Sequence, residues 1–291
     1  MSFAREQIMA RLEVFTRALR RAADQPSDAE AIHALRVASR RFGQCLRTFE
    51  PILEAKAAKK IGARMRKLMD RCGEARNYDI TLLLLHEAGI GDRSKLAGQI
   101  RARRREAEAK LVEHLIRWRH RNIVKSWPGR LFDGSDEDFT PDLSTLTAEL
   151  FERGRGAAAA ESSYEEMHRF RLAAKRYRYT VEIFKPLHNA AAVDSVLSCM
   201  RELQDKLGAM NDCVTALDLV QGHGRATRAI LQFLQVRERA FRTHWKRHFG
   251  KRRLNEWTSI FSATGKQNPA GPALRKQPAR SLRAAAKTSA A

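Results

Sequence analysis

Five polar side chains recur along one face of a predicted helix in the first half of the chain. His33, Arg36, Arg40, Gln44 and Arg47 follow the spacing i, i+3, i+7, i+11 and i+14, which places them in a single row on an α-helix. A helix advances about 5.4 Å per turn, so the row offers a cation at nearly every turn. Such a row suits a ligand that carries negative charges at short, regular intervals, as a chain of phosphates does.

A second row of the same kind occurs in the second half of the chain. It consists of His168, Arg171, Lys175 and Arg178. Arg41 flanks the first row, and Arg176 flanks the second. One cationic helix face is commonly no more than the solvated side of the helix. Two such faces, with few acids to relieve the repulsion between neighbouring cations, favour an external anion.

The two rows belong to an internal repeat with a constant offset of 135 residues (168 − 33). The offset carries His33 onto His168, Arg36 onto Arg171, Arg40 onto Lys175, Arg41 onto Arg176, Phe49 onto Phe184 and Pro51 onto Pro186. It also carries the segment 68–73 onto 203–208. The segments 27–30 and 162–165 each resemble a capping box, which predicts that a helix starts at the same place in each repeat.

The periodicity of the apolar residues predicts an all-α protein. Ile8, Leu12, Phe15 and Leu19 show the helical spacing that continues through most of the chain. Prolines 51, 128, 141 and 186 and glycines 73, 89, 91, 208, 222 and 224 are expected to divide it into long antiparallel helices. We expect one integrated domain of two repeats, 1–132 and 133–261, that meet at the acidic loop 133–138, followed by a disordered basic tail, 262–291.

Composition narrows the possible partners to polyanions. The 291 residues include 55 Lys and Arg against 33 Asp and Glu, a formal net charge of +22. Nucleic acid, an anionic membrane surface and polyphosphate all attract such a protein. The N-terminus does not resemble a signal peptide, and apolar runs are too short to span a bilayer, so we expect a cytoplasmic protein. The spacing of Cys45, Cys72, Cys199 and Cys213 favours neither a zinc site nor disulfides, and we expect no metal and no cofactor.

Further cations extend the candidate binding surface. Lys56, Lys60, Arg64, Lys67 and Arg71 share one face of the helix after the first row. In the second repeat the equivalent face keeps only Lys206, so we expect the first repeat to bind more strongly. With less support from the pattern, we expect the long helices that follow to complete a basic groove with Arg101, Arg105, Arg239, Arg242 and Lys246.

The motif His33-Ala-Leu-Arg36-Val-Ala-Ser-Arg40-Arg41, ending in Phe49-Glu-Pro51, resembles the signature of the conserved histidine α-helical domain, CHAD. The second copy, from His168 to Arg176, is similar to it, and the resemblance covers roughly residues 1 to 260. It implies two four-helix bundles related by a pseudo-two-fold axis, with a basic groove or pore that accommodates inorganic polyphosphate and no catalysis. By motif position it implies these binding residues: His33, Arg36, Arg40, Arg41, His168, Arg171, Lys175 and Arg176.

Two other functions remain open at this point. A nucleic-acid-binding protein is favoured by the net charge and by the basic tail. An accessory domain of a phosphohydrolase is the second alternative, although the sequence lacks the acidic cluster that such an enzyme would need to hold a metal. The favoured function is binding to polyphosphate. Such binding would also provide a means of targeting the protein to polyphosphate granules.

Overall fold

A computed structural model describes residues 2–120, 123–132 and 139–262 of the chain. Within these ranges the regular structure is helical and no β-strand occurs, which confirms the all-α prediction. No helix in these ranges is long and apolar enough to cross a membrane. The predicted acidic loop at 133–138 and the tail after residue 262 lie outside the described residues.

The first half of the chain contributes four long helices and short connecting elements. The long helices are α1 (Phe3–Asp24), α2 (Ala29–Thr48), α3 (Ala55–Glu87) and α4 (Lys95–His120). A 3-10 helix at Glu50–Ile52 joins α2 to α3, and a second at Ile123–Ser126 precedes the short helix α5 (Pro128–Leu131). Consecutive helices pack against each other, as short connections between antiparallel neighbours require.

The second half repeats the order of the four long helices and, like the first half, ends in a fifth helix. Its elements are α6 (Leu143–Ala157), α7 (Tyr164–Phe184), a 3-10 helix at Lys185–Leu187, α8 (Ala190–Leu219), α9 (Gly224–His248) and α10 (Lys251–Ser262). The fifth helix, α10, packs on α6.

Helix boundaries fit the internal repeat. The starts of α2 and α7 differ by 135 (164 − 29), and so do the starts of the two 3-10 helices (185 − 50) and of α3 and α8 (190 − 55). Pro51 and Pro186 lie at the second position of their 3-10 helices, where a missing N–H costs little. The repeated unit is therefore a helix, a 3-10 turn and a second long helix.

The predicted caps of α2 and α7 are each displaced by one residue. Asp28 caps α2 by accepting from Glu30 N at 2.9 Å. Ser163 caps α7 in a capping box with Glu166. Ser162 is unavailable as a cap because its hydroxyl donates to the carbonyl of Ala157 at 2.7 Å and closes the end of α6. Both caps keep the offset of 135 (163 − 28), so the correction preserves the repeat.

Two of the predicted glycine breaks are wrong. Gly73 and Gly208 lie inside α3 and α8. The helices continue through them because one glycine lowers the stability of a well-packed helix by only about 1 kcal/mol. Gly89 and Gly222 do follow helix ends, with φ angles of 67° and 82° that favour glycine.

One hydrophobic core spans both halves of the chain. In the first half Phe15, Phe42 and Trp127 stack with ring centroids 5.8–6.0 Å apart. In the second half Phe151 packs against Trp245 and Trp257. The two groups belong to one continuous cluster of buried residues, in which α2 and α7 pack against each other. The two cationic rows are therefore carried by helices that meet inside the molecule.

Candidate anion-binding site

The first row is presented by a helix whose opposite side is buried. Leu35, Phe42 and Leu46 of α2 are almost completely buried in the core. Their burial fixes the rotation of α2 and places Arg36 and Arg40 on the side that faces α3 and α7. Arg36 reaches across to α3, where a Cβ on Gly73 would lie 3.4 Å from Arg36 Nη1. The guanidinium therefore lies against the backbone of α3 at this position.

Arg171 and Lys175 of α7 meet the cations of α2. Burial of Phe170, Ala174 and Tyr177 orients α7 as the equivalent residues orient α2. Burial, together with Arg171, Arg40 and Arg36, lowers the pKa of Lys175 to about 7. Arg40 also lowers the pKa of Arg171, after the larger effect of burial. We call these four residues, Arg36, Arg40, Arg171 and Lys175, the central cluster.

Each arginine of the central cluster has a buried nitrogen with no hydrogen-bond partner among the described residues. These atoms are Arg36 Nη1, Arg40 Nε and Arg171 Nε. Buried donors are normally satisfied, and charged donors are costly to leave alone. Burial, with Arg40 and Arg76 nearby, lowers the pKa of Arg36 to about 10. The arrangement is electrostatically unfavourable by itself and suited to an oxyanion that accepts from several guanidinium groups.

One carboxylate that faces the central cluster is Asp212 of α8. Burial raises the pKa of Asp212, and Arg76, Arg171, Arg237 and Lys175 oppose that rise. The single negative charge of Asp212 cannot neutralise the four cations of the central cluster. Arg76 of α3 was not among the predicted site residues, although it influences both Arg36 and Asp212. The sequence signal that could have indicated it is its position next to Asn77, which aligns with Asp212 (212 − 77 = 135).

The two predicted histidines occupy different environments. His33 is exposed near the start of α2. His168 is half-buried beside the central cluster, and burial followed by Arg171 lowers its pKa, whereas a hydrogen bond with the Asn211 side chain opposes the decrease. Its ring centroid lies 6.1 Å from that of Tyr164. Of the pair, only His168 is joined to the central cluster by an interaction among the described residues.

Arg41 and Arg178 form ion pairs away from the central cluster. Arg41 Nε lies 3.1 Å from Glu182 Oε2, and Arg178 Nε lies 3.7 Å from Glu182 Oε1. Arg178 also lies over the ring of Tyr179 at 4.7 Å. Glu182 thus pairs with two of the cations that the sequence predicted to bind the ligand.

Arg47 and Arg176 lie in a second group of cations. The Arg47 side chain is partly exposed to solvent. Desolvation by the surrounding protein, followed by repulsion from Arg176 and Arg66, lowers its pKa to about 10. Burial and then Arg153 lower the pKa of Arg176. We call these residues of α2, α3, α6 and α7 the Arg47 cluster: Arg47, Arg66, Arg153 and Arg176. Arg66 and Arg153 were not predicted, because they stand outside the repeated motif.

The cations predicted on α3 face a different direction. Lys60, Lys67 and Arg71 are exposed, and Arg64 is half-buried. Burial is the main cause that lowers the pKa of His114 on α4, and Lys67 and Arg71 lower it further. In the second half burial is again the main cause that lowers the pKa of His244 on α9, and Lys206 contributes to the decrease. Lys67 and Arg71 therefore lie near the α3–α4 contact and Lys206 near the α8–α9 contact, and none of the three acts on a residue of the central cluster in the interactions described.

The remaining predicted cations also lie apart. Arg101 donates to the carbonyl of Asp92, and Arg242 has a buried Nε without a partner among the described residues. Arg105, Arg239 and Lys246 are exposed. None of these five has an interaction with the central cluster within the described ranges. The same ranges contain no group of three or more His, Cys, Asp or Glu side chains that could hold a metal ion.

Comparisons with known proteins assign the chain to a family. The family model of the CHAD domain matches residues 6–221. No curated protein matches the chain. Among solved structures, PptA from Streptomyces chartreusis is similar in fold, with a TM-score of 0.55 and 17% identity over 84% of this chain and 98% of that chain. The CHAD domain from the plant Ricinus communis has a TM-score of 0.52 and 19% identity over 90% of this chain and 92% of that chain.

Proposed function

The chain belongs to the CHAD domain family, and on that premise we propose that it binds inorganic polyphosphate without acting on it as an enzyme. The observation that carries the proposal is the central cluster. Two helices of different repeats bring Arg36, Arg40, Arg171 and Lys175 together, with three buried guanidinium nitrogens that lack partners among the described residues. A phosphate chain supplies the negative charge and the closely spaced acceptors that these donors need.

The rows explain why a chain of phosphates is favoured over a single phosphate. Arg36 and Arg40 lie one turn apart on α2, and Arg171 and Lys175 lie one turn apart on α7. Each row therefore offers donors separated by about 5–6 Å along its helix. Adjacent phosphates of one polymer can occupy successive donors, whereas a single phosphate would leave most of them without a partner.

A nucleic acid is the alternative ligand that the net charge also suits. The bases of a single strand would require partners as well as its phosphates, and sequence-tolerant binders of single strands use exposed aromatic rings for this purpose. The exposed large hydrophobic side chains in the described part of the chain are aliphatic, namely Val14, Leu83, Ile116, Leu187, Leu231 and Val236. The Phe, Tyr and Trp side chains of the described ranges are instead buried or packed against the hydrophobic clusters. This distribution disfavours a single-stranded nucleic acid, and a duplex is tested by competition.

Competition binding tests the proposal. Labelled long-chain polyphosphate is displaced by unlabelled polyphosphate, duplex DNA or RNA at about 150 mM salt, where exposed charges are screened. We expect polyphosphate to compete at least tenfold better than either nucleic acid. Equal competition by DNA or RNA would overturn the proposal. Release of orthophosphate during prolonged incubation would contradict its non-catalytic part.

Two triple variants with the same change in charge locate the site. Arg36→Gln/Arg40→Gln/Arg171→Gln removes three cations of the central cluster, and Lys56→Gln/Lys60→Gln/Lys67→Gln removes three exposed cations of α3. We expect the central variant to lose at least a hundredfold in polyphosphate affinity and the outer variant to lose less than fivefold. Deletion of residues 262–291 provides a third comparison. If that deletion has the largest effect, the helix rows are not the site.

We also propose that the protein acts in the cytoplasm, where it associates with polyphosphate granules. A fluorescent fusion is expected to overlap with stained granules, and the central triple variant is expected to spread through the cell. Overlap that persists in the variant would separate localisation from the central cluster.

A further inference from the structure

A buried amide lies in the contact between α2 and α7, the two helices that carry the cationic rows. Gln44 of α2 and Thr180 of α7 are each 5% exposed, and Gln44 Nε2 donates to Thr180 Oγ1 at 3.0 Å. The first row contains Gln44 between Arg40 and Arg47, yet the structure places its side chain inside the packing of two helices from different repeats.

Every polar atom of the Gln44 side chain has a partner within the protein. Its Nε2 donates one hydrogen to Thr180 Oγ1 at 3.0 Å and the other to Thr48 Oγ1 at 3.3 Å. Its Oε1 accepts from Arg47 Nε at 3.3 Å. A guanidinium can only donate, so the atom that faces Arg47 must be the oxygen, and this fixes the orientation of the amide. The Thr180 hydroxyl gives its own hydrogen to the carbonyl of Arg176 at 3.0 Å and therefore accepts from Gln44.

These hydrogen bonds are satisfied in one alignment of the two helices. The residues one turn before and after Thr180 on α7 are Arg176 and Phe184, and neither side chain has an acceptor. Sliding α2 along α7 by one turn, about 5.4 Å, would therefore leave a buried N–H of Gln44 without a partner. An unpaired buried donor is costly, and a single buried polar contact can fix the alignment of otherwise apolar helices.

Other contacts hold α2 and α7 together but fix their alignment less closely. Arg41 Nε lies 3.1 Å from Glu182 Oε2, but the Arg41 side chain is 49% exposed and long enough for the ion pair to follow a shift. The rings of Phe49 and Phe184 lie 5.7 Å apart, and hydrophobic packing is not directional. The buried hydrogen bond of Gln44 is the more demanding contact.

The internal repeat does not copy this contact. The offset of 135 relates Gln44 to Tyr179 (179 − 44) and Cys45 to Thr180 (180 − 45). Neither tyrosine nor cysteine has an amide, so the alignment depends on a residue that departs from the repeat.

Gln44 and Thr180 lie beside the central cluster. Gln44 is four residues after Arg40, and Thr180 is five residues after Lys175. These separations are about 6 Å and 7.5 Å along the helix axes. A shift of α2 along α7 moves the cations of one row past those of the other, and a binding site loses contacts when its groups are displaced by about 1 Å.

We infer that Gln44 is a positioning residue for the central cluster: its hydrogen bond to Thr180 sets the alignment of α2 with α7 and so keeps the cations of the two rows together. The inference rests on the proposed binding of polyphosphate. Gln44 itself does not bind the ligand, because its donors and its acceptor are all used within the protein.

Variants that conserve shape test the inference. Thr180→Val removes the hydroxyl, Thr180→Ser keeps it, and Gln44→Met removes the amide. Thr48→Val removes the other acceptor of Gln44, which lies on α2 itself and does not cross to α7. We expect Thr180→Val and Gln44→Met each to weaken long-chain polyphosphate binding about tenfold. Thr180→Ser and Thr48→Val should weaken it by less than about twofold.

The double variant Gln44→Met/Thr180→Val separates positioning from stability. Thr180→Val alone leaves a buried N–H unpaired and should lower the urea midpoint, and the added Gln44→Met removes that donor and should restore it. Affinity should remain about tenfold weaker, as in either single variant, because all three lack the same hydrogen bond. The pH at which affinity falls should also rise, because Arg36 and Arg40, which lower the pKa of Lys175, are no longer held beside it.

Three results would overturn the inference. They are full affinity in Thr180→Val, a double variant that recovers affinity together with stability, and a double variant much weaker than either single one. A loss confined to Gln44→Met would place the effect in Arg47, whose bond to Gln44 Thr180→Val leaves intact, and would overturn it as well. The proposed function fails by a different result, namely a wild type that binds DNA or RNA as well as polyphosphate.

Discussion

The rings of Phe49 and Phe184, which occupy equivalent positions in the two repeats, lie in contact with their centroids 5.7 Å apart. Both side chains are fully buried. Such a contact between residues related by the offset of 135 fits a pseudo-two-fold repeat, in which equivalent residues can meet only close to the axis. The contact therefore holds the ends of α2 and α7 together and, with them, the two cationic rows.

Loss of this contact is expected to destabilise the whole protein. Phe49→Ala removes a buried ring from the core that spans both halves and should lower the free energy of unfolding by about 3–5 kcal/mol. Urea denaturation measures the change. Leu187→Ala, at a side chain that is 40% exposed, serves as the control and should cost about 0.5 kcal/mol. A similar cost for both variants would contradict a central role for the Phe49–Phe184 contact.

Two glycines of α6 should respond in opposite ways to alanine. A Cβ on Gly154 would overlap the ring of Trp245 on α9, so Gly154→Ala should lower the free energy of unfolding by about 1–3 kcal/mol. A Cβ on Gly156 meets no atom within 4 Å among the described residues, and Gly156→Ala should stabilise the helix by up to about 1 kcal/mol. Thermal and urea unfolding measure both changes. Equal effects would show that the contact of α6 with Trp245 does not limit residue size.

The stability of the unliganded protein should depend on pH through Lys175. Its pKa is about 7 in the folded protein against 10.5 in its ordinary state, so above pH 7 the unfolded chain retains a proton that the folded protein has lost. Raising the pH from 7 to 8.5 therefore favours folding, by at most about 1.4 kcal/mol per pH unit. Urea denaturation should show this increase in the wild type and a smaller one in Lys175→Met. Identical slopes would contradict a lowered pKa of Lys175.

Binding of polyphosphate should take up a proton at pH 8. The anion favours the charged form of Lys175, so its affinity is greatest below pH 7 and falls as the pH rises. Calorimetry in two buffers of different ionisation enthalpy measures the proton uptake. Lys175→Arg stays charged and should abolish most of the uptake, while titration of the ligand itself is common to both proteins. Unchanged uptake in Lys175→Arg would place the proton elsewhere.

Much of the fold could be predicted from the sequence because it depends on local periodicity. The spacing of apolar residues such as Ile8 and Leu12 indicates a helix, and prolines 51 and 186 mark the turns between helices. The offset of 135 follows from residue identity alone, and the starts of α2 and α7 agree with it. Helix caps were less predictable because neighbouring polar residues compete for the role, as Ser162 and Ser163 do.

The sequence by itself determined that cationic rows exist and that they occur twice. Only the tertiary structure decided which cations meet, because a helix face is directed by the core on its other side and by the helix packed against it. It brought Arg36 and Arg40 to Arg171 and Lys175, paired Arg41 with Glu182, and turned Lys67 and Arg71 towards α4. The contacts of Arg36 with Lys175 and of Arg41 with Glu182 join residues more than a hundred positions apart, and no local pattern encodes them.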